Sequence, residues 1–152
     1  MKEGAMATET KKASHDDVNL IIKLYELRRE ERMRQARTWF ATSFKARTIE
    51  EYQTTCPVGS EPNASFRMIV TYWDMVGSFL TAGVLNQELF FQSGGEMVFV
   101  WERIRDVVPA LRQAFGNPLQ YRNLEASANA YIAWWNAEAP GAYEAFSKRI
   151  RG

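Results

Sequence analysis

Charged side chains beside the aromatic stripes of predicted helices are the residues of this 152-residue chain that could carry chemistry. In helical phase, carboxylates flank the stripes of two helices, and guanidiniums flank the stripe of a third. The set comprises Trp73, Asp74, Trp101, Arg105, Arg112, Tyr121 and Glu125. Because a buried carboxylate is costly unless it is paired, we expect the acids and the arginines to meet in the fold.

The charged cluster has two interpretations. The first, which we favour, is a structural network of ion pairs that fixes the register of the helices. The second is a polar pocket ringed by Trp73, Trp101 and Tyr121, in which Glu125 offers a carboxylate to a small ligand. Helical phase alone does not show whether Asp74 and Glu125 face a common cavity, so both interpretations stay open.

The residues that enzymes and metal sites usually need are sparse. His15 is the only histidine and Cys56 the only cysteine. A catalytic triad would have to use His15, which lies at the start of the first predicted helix, so we do not expect one. One histidine and one cysteine are also too few for a zinc site of the usual kind. The chain also lacks a glycine-rich phosphate loop followed by Lys and Ser or Thr. The sequence therefore predicts no catalytic residue, no metal and no cofactor, and it favours a non-enzyme.

A run of arginines occupies the middle of the first predicted helix. Its members are Arg28, Arg29, Arg32, Arg34 and Arg37. Interspersed glutamates are spaced to pair with Arg34, which is typical of a solvated, salt-bridged helix face. We favour this interpretation over a surface that binds anions. The chain as a whole has a net charge of +1, which argues against nucleic acid as a partner.

The first predicted helix carries a second apolar face. Leu20, Leu24 and Leu27 lie opposite a stripe that contains Ile22 and Tyr25. A helix packed on a monomeric core needs only one apolar face. The leucines are therefore either part of a helix sandwiched within the fold or the seam of a homodimer, and the sequence leaves these alternatives even. The same face could also dock an unknown protein partner.

Helical periodicity indicates the fold class. No Gly or Pro interrupts the chain between Asp16 and Trp39, which predicts a long first helix. We expect an all-α fold, a compact single-domain bundle of about five to seven helices over residues 14–152. Residues 1–13 are polar and are predicted to form a flexible leader, in which Met6 could be a second start.

Residues 88–101 are ambiguous between a helix and a β-hairpin. The pair Gly94-Gly95 could form a hairpin turn between two apolar runs. One helical stripe nevertheless continues through the five turns that follow, which a strand does not explain. We therefore expect a short helix, a break at the glycines, and a long helix to Phe115 that Pro109 kinks or interrupts.

Turn residues divide the remaining chain. Residues 57–63 are rich in Pro and Gly and are predicted to be a loop, followed by a helix over residues 65–82. Asn117-Pro118 predicts the start of another helix, and a last helix carries Tyr143.

Hydropathy restricts the class of protein further. No apolar run approaches the roughly 20 residues of a membrane-spanning helix. The first thirteen residues lack the apolar core of a signal peptide. We therefore expect a cytoplasmic protein without a membrane span.

Short motifs over residues 69–128 resemble those of a family of uncharacterised bacterial helical domains. The family carries an aromatic–acid pair, a Gly-Leu-like turn, a Trp early in a long helix, a later Arg and a Phe/Leu-Glu pair. The matching residues here are Tyr72-Trp73-Asp74, Gly83-Val84-Leu85, Trp101, Arg112 and Leu124-Glu125. Asp74 and Leu124 stand where the family more usually has Glu and Phe. The resemblance implies a small helical fold and no established activity.

Two hypotheses about function follow. The first, which we favour, is a non-enzymatic interaction or self-association module that uses the first helix. The second is a small-ligand-binding or enzymatic domain that uses the aromatic, carboxylate and arginine cluster.

Overall fold

The computed structural model describes residues 11–152, and in this range the chain forms nine α-helices and no strand. The helices, α1 to α9, span His15–Arg28, Glu31–Ser43, Ile49–Thr55, Glu61–Thr81, Gln87–Phe91, Gly95–Ile104, Val108–Phe115, Arg122–Glu138 and Ala142–Arg151. The all-α class is confirmed, whereas the predicted five to seven helices are too few because two long helices are each divided. The predicted leader lies outside the described residues for its first ten positions. None of the described helices combines the length and the apolar content needed to cross a membrane.

The predicted long first helix is wrong, because the chain turns between α1 and α2. Helix α1 ends at Arg28, and Glu30 has an extended backbone immediately before α2. The Glu30 carboxylate accepts the backbone N–H groups of Arg32 and Met33, at 3.1 and 3.0 Å. Glu30 is thus the N-cap of α2, a position where Ser, Thr, Asp and Asn are the usual residues. The sequence therefore carries no ordinary signal of this break.

The segment around the two glycines is helical and not a hairpin, as expected. The Asn86 side chain caps α5 by accepting the N–H of Leu89 at 2.7 Å. Gly94 follows α5 and lies against the ring of Phe90, where a Cβ would come within 2.4 Å of a ring carbon. The glycine is therefore required for close packing at this turn.

Prolines begin helices in this fold. Pro109 lies in the first turn of α7, and the predicted long helix is interrupted before it and divided into α6 and α7. Pro62 occupies the same position in α4, which begins at Glu61, earlier than predicted. The first turn of a helix has no internal partner for its N–H groups, so proline costs nothing there. Pro118 lies instead in a turn, and α8 begins only at Arg122.

Helix α4 is central to the bundle. It packs against both α2 and α8, while α6 packs against α8 and α9. The buried side chains of α4 include Phe66, Trp73 and Leu80. The aromatic core continues into the end of α2, where Phe40 and Phe44 stack with their ring centroids 5.2 Å apart. Burial of such side chains, worth about 1.5–3 kcal/mol each, is the main force that holds the helices together.

Helix α1 lies against the α2–α4 pair through few contacts. It packs on α2, and the hydroxyl of Tyr72 in α4 donates to the backbone oxygen of Leu24 at 2.6 Å. Leu24 itself is only 2% exposed. One side of α1 thus packs against the bundle, and the other side is exposed to solvent.

Candidate functional site

Three of the predicted site residues meet at the start of α8. From α4, Asp74 Oδ1 accepts the N–H of Leu124 at 2.9 Å. From α7, Arg112 donates to the Glu125 carboxylate at 2.7 Å and to the backbone oxygen of Gln120 at 2.8 Å. The N–H groups of the first turn of a helix have no partner within the helix, so Asp74 satisfies one that would otherwise need water.

Tyr121 stands at the same helix start, in a conformation that is unusual for its residue type. Its φ of 60° is the one positive value found outside glycine among the described residues. Its side chain is buried, and burial raises the pKa of the phenol. A left-handed backbone costs energy for a residue with a Cβ, so the packed ring and the bonds of Asp74 and Arg112 must hold the turn. This geometry favours a structural role for the cluster.

The three other candidates of the predicted pocket have different partners. Trp73 is fully buried, and the guanidinium of Arg28 lies 5.1 Å from the centroid of its ring. Trp101 is buried on α6. Arg105 pairs with Glu102 at 2.7 Å, and not with Asp74 or Glu125. The structure therefore divides the predicted set among separate contacts.

The arginine run lies around the junction of α1 and α2, and three of its members donate hydrogen bonds within the fold. Arg37 makes a bidentate pair with Glu96 of α6, at 2.8 and 3.0 Å, and this pair raises the pKa of Arg37. Arg32 binds Glu61 at 2.9 Å. Arg34 donates to a backbone carbonyl at 2.9 Å. These arginines thus join helices, which leaves fewer of their donors for an external anion.

The leucines of α1 do not share one environment. Leu24 is buried in the core, Leu20 is partly buried against it, and Leu27 is 43% exposed. Ile22 and Tyr25, on the face expected to be buried, are each 51% exposed. Helix α1 thus packs the side that contains Leu24 against the bundle, and the side that contains Ile22 and Tyr25 remains exposed.

Two exposed apolar surfaces lie on α1 and beside it. The first, the α1 ridge, consists of Val18, Ile22 and Tyr25, which the spacing of four and three residues places on one helix face. The second, the α4 groove, is a shallow depression of about 750 Å³ between the α1–α2 junction and α4. Its apolar lining consists of Leu27, Met33, Ala64, Met68, Tyr72 and Met75.

Ordinary nucleophiles and metal ligands are not arranged for chemistry in the described part of the chain. Burial raises the pKa of Cys56 to about 11, so the thiol stays protonated at neutral pH and is a poor nucleophile. His15 is exposed at the first position of α1. Within residues 11–152, no three His, Cys, Asp or Glu side chains are grouped so that they could hold a metal ion.

Comparison with known proteins assigns the chain to a family. The sequence profile of DUF4760, a domain of unknown function, matches residues 13–134. The chain belongs to this family. No curated protein and no solved structure matches the chain significantly. The predicted resemblance to a family of uncharacterised helical domains is thus confirmed, and the DUF4760 match extends well beyond the motifs that indicated it.

The DUF4760 match runs from just before α1 to near the end of α8. It therefore includes the α1 ridge, the α4 groove and the cluster at the start of α8. Helix α9, Ala142–Arg151, lies outside it.

Sequence reasoning missed Asp17, a buried carboxylate of this DUF4760 domain. Asp17 Oδ2 accepts from Lys11 Nζ at 2.6 Å and from the N–H of Ser14 at 2.9 Å. Its Oδ1 accepts the N–H of Asn86, at the start of α5, at 3.0 Å. The available signal was the Ser14-x-x-Asp17 capping spacing, which accounts for the contact with Ser14 but not for the one with Asn86.

Glu102 of α6 was missed as well. Its side chain is wholly buried, and it accepts from Arg105 at 2.7 Å and from the hydroxyl of Tyr143 at 3.0 and 3.1 Å. Tyr143 belongs to α9, so this carboxylate fixes the last helix to α6. The i,i+3 spacing to Arg105 was the only local signal, and such pairs are usually solvated.

Asp17 should make the stability of the domain sensitive to acid. The hydrogen bond from Lys11, together with those from Asn86 and Ser14, lowers the pKa of Asp17 from 3.8 to about 2, against the opposing effect of burial. A carboxyl group whose pKa is lower in the folded state stabilises the fold above its unfolded pKa and stops doing so as the pH falls towards 2. We expect Asp17→Asn to lower the free energy of unfolding by about 2 kcal/mol at pH 6.

Urea denaturation of wild type and variant between pH 6 and pH 3 measures this effect. The difference between the two proteins should shrink over this range as the wild-type stabilisation is lost. Asp16→Asn is the matched control, because Asp16 is the exposed neighbour on the same turn. A difference for Asp17→Asn that is no larger than for Asp16→Asn at pH 6 would show that the contacts of Asp17 do not stabilise the fold.

Proposed function

We propose that residues 14–152 act as one helical interaction module without enzymatic activity, which self-associates through α1 and α4. The observation that carries this proposal is that the domain exposes both an apolar helix face, the α1 ridge, and an apolar depression, the α4 groove. The α1 ridge of one copy would lie in the α4 groove of a second copy.

The chemistry of the two surfaces supports this pairing. Amphipathic helices bind apolar grooves through side chains spaced at i, i+4 and i+7, and Val18, Ile22 and Tyr25 have this spacing. Met68 and Met75 of the groove have flexible, polarisable side chains that adapt to an incoming surface. Large exposed apolar patches on a folded domain usually mark interaction sites.

The ridge is also held in place before any partner binds. The guanidinium carbons of Arg28 and Arg29 each lie 5.6 Å from the ring centroid of Tyr25. Such cation–π contacts reduce the motion of an exposed aromatic ring, so less ordering is required on association. The proposed dimer thus uses the same helix as the homodimer alternative from the sequence, but its seam is the exposed α1 ridge and not the face that contains Leu24.

Ligand binding by the aromatic, carboxylate and arginine cluster has less support. Asp74 and Arg112 direct their polar groups to the backbone at the start of α8, and Arg105 pairs with Glu102.

A cytoplasmic location suits the proposed module, since its one cysteine is a buried free thiol.

Charge substitutions on the two surfaces test the self-association. Ile22→Glu and Met75→Glu should each weaken the dimer at least tenfold, because each places a charge where an apolar side chain would be buried. Both residues are exposed, at 51% and 40%, so the fold should tolerate the substitutions. Sedimentation equilibrium over a range of protein concentrations gives the dissociation constant.

Asn19→Glu is the matched control, since Asn19 is an exposed polar residue on the same helix and the change in charge is the same as for Ile22→Glu. It should alter the dissociation constant less than twofold. A wild-type chain that stays monomeric at about 100 μM, or a dimer that neither Ile22→Glu nor Met75→Glu weakens, would contradict the proposal.

A further inference from the structure

A basic cleft lies where the α2–α3 connection, α6 and the end of α9 meet. Its volume is about 450 Å³. The charged side chains that line it are Lys45, Arg47, Glu102, Arg103, Arg149 and Arg151. The cleft shares no lining residue with the α1 ridge or the α4 groove.

The carboxylates near this cleft are already paired. Glu102 is bound by Arg105 at 2.7 Å and by the hydroxyl of Tyr143. Asp106 binds Arg151 at 2.5 Å. The cations of the cleft therefore outnumber the carboxylates that could neutralise them.

Four of these cations remain without a carboxylate partner within 4 Å among residues 11–152: Lys45, Arg47, Arg103 and Arg149. Unpaired like charges gathered around one concave surface repel each other, at a cost in stability. An arrangement of this kind is characteristic of a surface whose counter-charge comes from a ligand.

Arg103 shows the imbalance most clearly. One of its terminal nitrogens donates to the backbone oxygen of Phe44 at 2.8 Å, and its guanidinium lies 4.9 Å from the ring centroid of Phe99. Its Nε is buried and has no hydrogen-bond acceptor. Burial without a compensating anion lowers the pKa of this guanidinium. An anion in the cleft would oppose that effect by stabilising the charged form.

We propose that this basic cleft binds a small phosphate-bearing anion. Arginine presents planar, paired N–H donors that match phosphate oxygens, and three of the four unpaired cations are arginines. Four positive charges suit a group with the charge of a pyrophosphate better than a single carboxylate. The volume lies within the usual range of small-molecule sites. No aromatic side chain lines the cleft, so recognition rests on the phosphate groups and not on a stacked ring.

The cleft depends on a part of the chain that the family profile does not match. Arg149 and Arg151 belong to α9, beyond residue 134. Phosphate binding is therefore proposed for this chain and not for the family.

Isothermal titration calorimetry with pyrophosphate tests the proposal. The full chain is used without a C-terminal tag, because Arg151 and Gly152 line the cleft. At a fixed ionic strength of about 0.15 M, we expect saturable binding of one pyrophosphate per chain. The double variant Lys45→Ala/Arg149→Ala should weaken this binding at least tenfold, since it removes two exposed cations of the cleft. Neither side chain makes an ion pair among residues 11–152, and the guanidinium of Arg149 lies over the ring of Phe146, 5.8 Å from its centroid.

The double variant Lys23→Ala/Arg122→Ala is the matched control. It removes one lysine and one arginine that are also exposed but lie on α1 and α8, outside the cleft. Binding should change less than twofold. The absence of saturable binding, or equal weakening in both double variants, would overturn the proposal. Equal affinity for sulfate would overturn the assignment to phosphate.

Discussion

Replacing Gly77 by alanine is expected to lower the free energy of unfolding by about 3 kcal/mol. Gly77 lies in the interior of α4, where the backbone at the start of α8 passes against it. A Cβ at this position would come within 2.5 Å of the backbone oxygen of Asn123 and 3.0 Å of the backbone nitrogen of Leu124. Both atoms belong to the backbone, so no side chain can rotate away to make room.

The two helices cannot separate locally without losing hydrogen bonds. Asp74 holds the N–H of Leu124 at 2.9 Å, and the hydroxyl of Ser127 donates to the backbone oxygen of Gly77 at 3.0 Å. Ser127 is buried, so its hydroxyl would lose its partner if α8 moved outward. A buried polar group without a partner costs about 1–3 kcal/mol, comparable with the clash itself. The domain therefore pays a similar penalty whether α8 moves or stays.

Gly95→Ala is the matched control for this prediction. Gly95 is the first residue of α6, and a Cβ there would meet only the hydroxyl of Tyr131 at 3.6 Å, an ordinary contact. This variant should be neutral or more stable by about 0.5 kcal/mol, because alanine favours the helix. Thermal unfolding should show Gly77→Ala melting about 6–12 °C below wild type. A decrease in the melting temperature of less than about 2 °C would mean that α4 and α8 are packed less closely than these distances indicate.

The positions of most helices could be predicted because their signals are local. Thr48 caps α3 by accepting the N–H of Glu51, and Gly116 ends α7 in a left-handed conformation, and both residue types are common at these helix ends. Apolar periodicity decided correctly for helix over hairpin around Gly94. What local signals did not show was the turn at Glu30, since a glutamate that follows an arginine on a helix looks like one more surface residue.

The candidate site was harder to predict because its residues are joined by the tertiary fold. Asp74, Arg112 and Glu125 were selected from helical phase and do lie together at the start of α8. Asp74 binds a backbone N–H there, and Arg112 binds a backbone oxygen in addition to Glu125. A pattern of side chains does not reveal such backbone partners. Helix α1 is apolar over a wide arc, so its sequence could not show that Leu24, and not Ile22, faces the core. Acidic residues are usually exposed, so nothing marked Glu102 as buried.

Arg105→Ala is expected to lower the free energy of unfolding by about 3 kcal/mol, an unusually large effect for a partly exposed arginine. The reason is the residue that stays behind. Glu102 has a wholly buried side chain, and without Arg105 its charge keeps only the hydroxyl of Tyr143 as a described partner. Arg122→Ala, an exposed arginine of α8, is the control and should change the stability by no more than about 0.5 kcal/mol.

A double-mutant cycle separates this desolvation cost from simple loss of packing. Glu102→Leu fills much of the same volume and removes the buried charge, so Arg105→Ala combined with Glu102→Leu should return the stability to within about 1 kcal/mol of wild type. If the pair acted only through its mutual attraction, removing both partners would cost at least as much as removing one. Urea denaturation of the four proteins at pH 7 decides between these outcomes. A double variant as unstable as Arg105→Ala would show that the carboxylate is needed for its bond to Tyr143, which attaches α9 and with it one wall of the basic cleft.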